Sequence, residues 1–179
     1  IIGLTGDSRN SLIKNGIKYE QIELINDDFD IETIISRLKQ SKVKLVEIQR
    51  SRGYSQRKSL TIEKIERVIK AIREVDNDVI IMVDNCYGDF VEEKEPTEVG
   101  ADILVGSLIK NLGGGEVKTG GYIVGKREFV NDVAERFSAP GLGKELGANL
   151  NQLLSFYKGL FNSPIVVKNA LKTMRGYLK

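Results

Sequence analysis

Three short stretches of the chain bring together residue types that could do chemistry in one place. Asp84 ends the apolar run Val79–Val83 and opens Asp84-Asn85-Cys86-Tyr87. Lys110 follows a second apolar run, Ala101–Val105, through Gly106-Ser107-Leu108-Ile109. Asn111-Leu112-Gly113-Gly114-Gly115 comes next, and Thr119-Gly120-Gly121-Tyr122 opens a further apolar segment. In an open α/β sheet ligands bind outside the carboxyl ends of the strands, which is where Asp84 would stand. A lysine nitrogen can bond a carbonyl carbon and carry a proton. Glycines let backbone turn sharply or approach a ligand. Taken singly, each feature has an ordinary reading: Asp84 as a turn or cap residue, Lys110 as a solvated surface lysine, the glycines as a generic turn. Their combination and order make a candidate site.

Composition narrows the chemistry further. The chain has no histidine, which excludes Ser-His and Cys-His catalysis and His-based metal sites. Its carboxylates are scattered, so no metal site is expected. Cys86 is the single cysteine and cannot form an internal disulfide, which fits a reducing, cytoplasmic setting; it reads as a small buried residue. Basic and acidic residues number 27 and 25 and are mixed along the chain, giving no electrostatic case for nucleic acid or anionic membranes. The longest apolar runs are far shorter than the ~20 residues of a membrane span. Gly141-Leu142-Gly143-Lys144-Glu145 looks superficially like a phosphate loop, but Glu145 stands where GxxxxGK[ST] needs Ser or Thr, and Pro140 precedes the glycines. The chain opens Ile1-Ile2-Gly3-Leu4 without an initiator Met or basic leader, and a fragment or trimmed chain is expected.

The elements that must position these residues alternate between strand and helix. Tyr19–Leu24 reads as a short strand. Asp27-Asp28-Phe29-Asp30 offers acidic caps to a helix with Ile31, Ile34, Ile35 and Leu38 on its buried face. Val43–Ile48 is strand-like, and the basic loop Gln49–Ser59 leads to a helix capped by Thr61 with the stripe Ile62, Ile65, Ile69 and Ile72. Val79–Val83 (VIIMV) suits a strand buried on both faces of a parallel sheet. Ala101–Val105 and Gly121–Val124 are further strands and Lys126–Phe137 a helix. A helix is expected from about Lys144 to Ser163, stopped or kinked by Pro164, followed by an amphipathic stretch, Ile165–Leu178. The alternation predicts an α/β class: a three-layer α/β/α arrangement with a parallel or mostly parallel sheet. At ~100–200 residues per domain, the length suits one domain.

The ordered set of Asp84, Ser107, Lys110 and their glycines resembles the core of the fold-type-I pyridoxal-phosphate (PLP) enzymes. Within that superfamily the chain is similar to cystathionine γ-synthase, cystathionine β-lyase and methionine γ-lyase. The likeness rests on Leu45-Val46-Glu47, Ile81-Met82-Val83-Asp84-Asn85, Gly100–Lys110 and Leu112-Gly113-Gly114, and runs from about Ile17 to Lys126. It resembles still better the methionine-γ-lyase-like family often labelled aluminium-resistance proteins. The marks are Ile48-Gln49-Arg50-Ser51-Arg52-Gly53-Tyr54, Asp84-Asn85-Cys86-Tyr87-Gly88, Gly106-Ser107-Leu108-Ile109-Lys110-Asn111 and Ala139-Pro140-Gly141-Leu142-Gly143-Lys144-Glu145.

The resemblance implies pyridoxal 5'-phosphate as cofactor, with Lys110 as the Schiff-base lysine, Asp84 as the partner of the pyridine nitrogen and Ser107 as a phosphate contact. Arg50 and Arg52 lie in the loop that approaches ring and substrate in relatives, or else form a solvated basic loop with Arg57 and Lys58. Tyr54 is a site residue or a loop anchor. The implied activity is carbon–sulfur lysis of a sulfur amino acid, in a homodimer or homotetramer. Relatives are longer. They carry an upstream glycine turn for the phosphate, an upstream aromatic that stacks on the ring, and a downstream small domain whose arginine grips the substrate carboxylate. None of these is identifiable here, and Gly115-Glu116-Val117-Lys118 places two charges where relatives are apolar. The expectation is a partial PLP-binding large domain over residues 1–140 and a helical C-terminal segment, 141–179, leading toward the small domain. An exposed sheet edge and apolar face would then call for an oligomeric partner. The alternative is a non-catalytic folded fragment or scaffold.

Overall fold

In the computed structural model, residues 9, 11–137, 141–143 and 151–177 are described. Helix α1 (Ile31–Gln40) begins where Asp30 Oδ1 accepts the Thr33 N–H at 3.1 Å. Helix α2 (Ile62–Val75) begins at Thr61, whose hydroxyl accepts the Lys64 N–H at 3.3 Å. Each cap satisfies an N–H that the helix itself cannot. α2 buries Ile62, Ile65, Val68, Ile69 and Ile72, and the half-buried Ile31, Ile34 and Leu38 of α1 pack beside them. Full burial of such side chains stabilises by about 1.5–3 kcal/mol each.

The two helices cover one face of a four-stranded sheet ordered β1 (Leu45–Gln49), β2 (Ile80–Asp84), β3 (Ile103–Ser107), β4 (Gly121–Gly125). β1 and β2 run parallel with Leu45 opposite Ile80 and Gln49 opposite Asp84, and β2 and β3 run parallel with Asp84 opposite Val105. β4 is antiparallel to β3, Ser107 lying opposite Gly121. The sheet is thus mixed and mostly parallel, flanked by helices, as expected for the α/β class. A 3-10 turn, Pro96–Val99, precedes β3, and another, Asn111–Gly113, follows it. α3 (Arg127–Phe137) follows β4, and α4 (Leu153–Tyr177) packs on the 3-10 turn Asn111–Gly113.

Three expectations need correction. Tyr19–Leu24 forms no strand: Ile22 and Leu24 alternate as half-buried positions, but no strand pairs with them and only an isolated Ile25–Asp28 bridge follows. Alternation without a ladder partner leaves extended chain, not sheet. The run Val79–Val83 is sealed on one face only, since Ile81 and Val83 are fully buried toward α2 while Ile80 and Met82 are half-exposed. Of the stop or kink expected at Pro164, the stop does not occur, because helix α4 continues through it. Proline removes one ladder bond and crowds the preceding turn at a cost of about 3 kcal/mol. Here the helix at Gly159 and Ser163 is seated against the 3-10 turn, with Ser163 Oγ donating to Leu112 O at 2.5 Å. Residues 144–150 of the expected helix, Ile1–Leu4, and Ala139, Pro140, Lys144 and Glu145 lie outside the described residues. Among the described residues no helix is long and apolar enough to cross a membrane.

Candidate functional site

Asp84 ends β2 and Lys110 follows the end of the adjacent β3 by three residues, so both stand at the carboxyl end of the parallel strands. Asp84 is half-buried, and its Oδ1 accepts the Cys86 N–H at 2.9 Å, closing a tight turn as the chain leaves β2. Tyr87 then takes a left-handed φ of +66°, unusual for an aromatic residue and costing about 1–3 kcal/mol. That turn presents the Tyr87 ring to Lys110, whose Nζ sits 4.5 Å from the ring centroid. Contacts of this kind contribute about 0.5–1 kcal/mol at exposed sites.

The Cys86 thiol lies close enough to both the Asp84 carboxylate and the Lys110 amine for each to act on its protonation. Burial, and then the contact with Asp84, push the thiol above its usual value of 9.0, although Lys110 opposes this. Burial draws the Lys110 amine down, but contact with Cys86 and the fields of Tyr87 and Asp84 more than offset it, so the ammonium is held above its ordinary 10.5. Because the thiol is neutral at pH 7, the negative charge facing Lys110 there is Asp84. A primary amine, a carboxylate, a thiol and a phenol therefore converge at adjacent strand ends.

Lys110 sits at the entrance to the 3-10 turn Asn111–Gly113, which is held from both sides. Asn111 Nδ2 donates to Asp89 O at 3.0 Å, and Ser163 Oγ donates to Leu112 O. Gly113 admits no side chain, because a Cβ would overlap Leu108 O, and Gly114 (φ +55°) lies on the Gly159 backbone of α4. The glycine run beside the lysine thus supplies a close helix–turn contact.

The other expected site residues fall in three places. Ser107 ends β3, half-buried, with its carbonyl accepting the Lys110 N–H at 3.3 Å. Arg50 is 3% exposed behind the site. Its guanidinium donates to Asn85 Oδ1 at 2.7 Å, Gly88 O at 3.1 Å, Leu60 O at 3.4 Å and Glu92 Oε1 at 2.7 Å, with Glu95 3.6 Å away. It braces the loop that follows Asp84. Arg52 and Tyr54 are exposed in the loop after β1, Tyr54 fully so, and neither side chain hydrogen-bonds Asp84 or Lys110. Sequence reasoning missed the buried partners Asn85 and Asp89, the half-buried Tyr122 and the participation of Cys86. The signal for Cys86 was its place two residues beyond Asp84; the Asp89–Tyr122 contact spans 33 residues and leaves no local mark.

Comparison with known proteins agrees with this fold. The chain is 45% identical over 97% of its length to a 33.9 kDa protein encoded in the glnA 5' region of Lactobacillus delbrueckii subsp. bulgaricus, spanning 57% of that protein. It superposes with a TM-score of 0.92 on an aluminum-resistance protein of Listeria monocytogenes, at 47% identity, covering 96% of this chain and 42% of that one. A carbon-sulfur lyase involved in aluminum resistance from Clostridium novyi NT gives a TM-score of 0.89 at 42% identity, covering 96% of this chain and 41% of the other. The fold alone is shared with the pyridoxal-5'-phosphate-dependent protein YhfS of Escherichia coli, at 18% identity and a TM-score of 0.55. The chain spans about half the length of the relatives it matches, or less. The methionine gamma-lyase family model matches residues 1–177, and the chain belongs to that family.

Proposed function

We propose that the chain is the lysine-bearing part of a PLP-dependent carbon–sulfur lyase acting on a sulfur amino acid. The observation that carries this reading is the convergence of Lys110 and Asp84 at adjacent strand ends, with Cys86 between them. The donor set fits a pyridoxal group: an amine for its aldehyde, a carboxylate for its ring nitrogen and the Ser107 hydroxyl for its phosphate. When bound, that group supplies an electron sink for the carbanion formed at an amino acid's α carbon. Asp84 would hold the proton on the ring nitrogen. Lys110 Nζ would take a proton from the substrate α carbon and return it nearby. Tyr87 and Cys86, flanking the amine, would orient it and keep water from its face. Arg50 would hold the Asp84 loop from below. Substrate choice among methionine, cystathionine and cysteine conjugates would depend on the rest of the protein.

The same reading carries a cytoplasmic setting and a homodimer or homotetramer. In its support, α4 exposes Leu154, Tyr157, Phe161 and Ile165, an apolar set suited to burial against more protein. The test is cofactor trapping. PLP is added to the purified chain, the visible absorption followed, borohydride added, and the modified lysine mapped by mass spectrometry. Labelling at Lys110 that is abolished in Lys110→Ala is expected. Labelling spread over surface lysines would sink the reading and favour the scaffold.

A further inference from the structure

The loops carrying Asp84 and Lys110 leave different strands, and few bonds set their separation. Asn85, fully buried, donates through Nδ2 to Asp89 Oδ1 at 3.1 Å and to Glu95 Oε2 at 2.9 Å while accepting from Arg50. Asp89 is 4% exposed and lies at the far end of this loop. From the other side, Tyr122 of β4 donates its hydroxyl to the same Asp89 Oδ1, and Asn111, next to Lys110, donates to the Asp89 carbonyl. Tyr122 reaches Asp89 by lying across Gly106 of β3, where a Cβ would come within 2.5 Å of the ring. Asp89 therefore joins the Asp84 loop to the Lys110 turn and to β4.

This junction is costly. Asp89 Oδ2 is buried without a hydrogen-bond partner. Such an oxygen forfeits hydration, whereas apolar groups of the same shape in place of both partners would be nearly neutral or better. A bond network that is expensive for stability and that spans the two halves of a site is better explained by geometry. We propose that Asp89, clamped by Tyr122 and Asn111, is a positioning residue that sets Lys110 relative to Asp84. The inference rests on the PLP reading for its purpose, but the placement of Lys110 can be read without cofactor.

The experiment compares wild type, Tyr122→Phe, Asp89→Asn and Ile65→Val. The last is a core change on α2 that serves as a stability control. Two quantities are followed for each variant. One is the pH profile of Lys110 acetylation by acetic anhydride without cofactor, mapped by mass spectrometry. The other is the rate of PLP trapping at Lys110. Tyr122→Phe is expected to lower the acetylation midpoint toward that of an ordinary lysine, as the amine moves off Asp84, Cys86 and Tyr87. Trapping should slow about tenfold to a hundredfold, the scale expected of an ångström of misplacement. Asp89→Asn keeps the oxygen that Tyr122 needs and the carbonyl that Asn111 needs, and should stay close to wild type. The proposal is overturned if Tyr122→Phe leaves the acetylation midpoint unchanged, or if Ile65→Val shifts it equally. If wild type traps no PLP at Lys110 the cofactor reading fails, and a shifted midpoint in Tyr122→Phe still upholds the clamp.

Discussion

Replacing Arg50 with methionine isolates what the buried guanidinium contributes. Methionine matches the aliphatic stem but has no donors. Asn85 Oδ1 and Leu60 O lose the Arg50 donor, Gly88 O keeps the Val91 N–H, and Glu92 and Glu95 lose their ion-pair partner. Removing one member of a buried ion pair costs about 3–5 kcal/mol. Glu92 is 35% exposed and can regain water, which discounts its share; Asn85 is fully buried and cannot. The lower end, about 3 kcal/mol, is therefore expected at pH 7. With a urea slope of about 2 kcal/mol/M, the unfolding midpoint should fall by roughly 1.5 M.

The deficit should also depend on pH, and its sign can be worked out. Burial raises the Asp89 and Glu95 carboxyls above their ordinary 3.8 and 4.5, despite hydrogen bonds and the Arg50 charge that pull them down. A carboxyl with a folded value above its unfolded one binds more protons in the native state. Stability is then fully present below the unfolded value and falls as pH rises through the folded one. Without Arg50 that window extends upward, so acidification from pH 7 toward 5 should neutralise the unpaired carboxylates and shrink the deficit. Urea titrations at the two pH values, followed by far-UV circular dichroism, read both effects. An unchanged midpoint at pH 7, or a deficit that widens on acidification, would refute the reasoning.

Other expectations are more local. Gly159→Ala gains about 1 kcal/mol of helix propensity. Its Cβ, however, would overlap Gly113 O and come within 2.9 Å of Val117 Cγ2, an overpacking worth about 1–3 kcal/mol, so a lower thermal midpoint is expected and a higher one would contradict the contact. Asp102 is buried, which alone would raise its carboxyl, but bonds from Lys126, the Ile81 N–H and Arg73 hold it below the ordinary 3.8. Its contribution is present above that value and lost as pH falls through the folded one, so Asp102→Asn should flatten the acid limb of the stability curve measured by urea unfolding. Thr61→Ala removes the cap of α2 and should cost about 1 kcal/mol in the same assay.

What the sequence made legible follows from how local each signal is. The cap at Thr61 and the isoleucine stripe of α2 are written within one helix, and both are found in place. Asp84 and Lys110 were readable because a strand's carboxyl end is marked by the last residue of an apolar run. The antiparallel turn of β4 was less so, since a long loop, Leu108–Gly120, separates it from β3 and permits either direction. Tyr19–Leu24 has the composition of a strand, but pairing depends on a neighbour that its own residues do not encode. Arg50 reads as a contact near ring and substrate or as part of a basic loop, and its brace role is not legible because its carboxylate partners lie 42 and 45 residues ahead. The seat of α4 against the 3-10 turn, just before Pro164, is a contact between segments some fifty residues apart and leaves no local signal.

That seat has a consequence for anyone who would divide the chain. Gly159 meets Gly113 and Gly114 backbone to backbone, with no side chain between them to yield or rearrange. A seam of this kind has no slack: a shift of α4 along its axis must be followed by the turn or broken from it. The lysine caps the start of that turn. Grafting a different helix in place of α4, or severing the chain before it, would therefore shift the Lys110 amine from a distance, even with every residue around Asp84 left untouched.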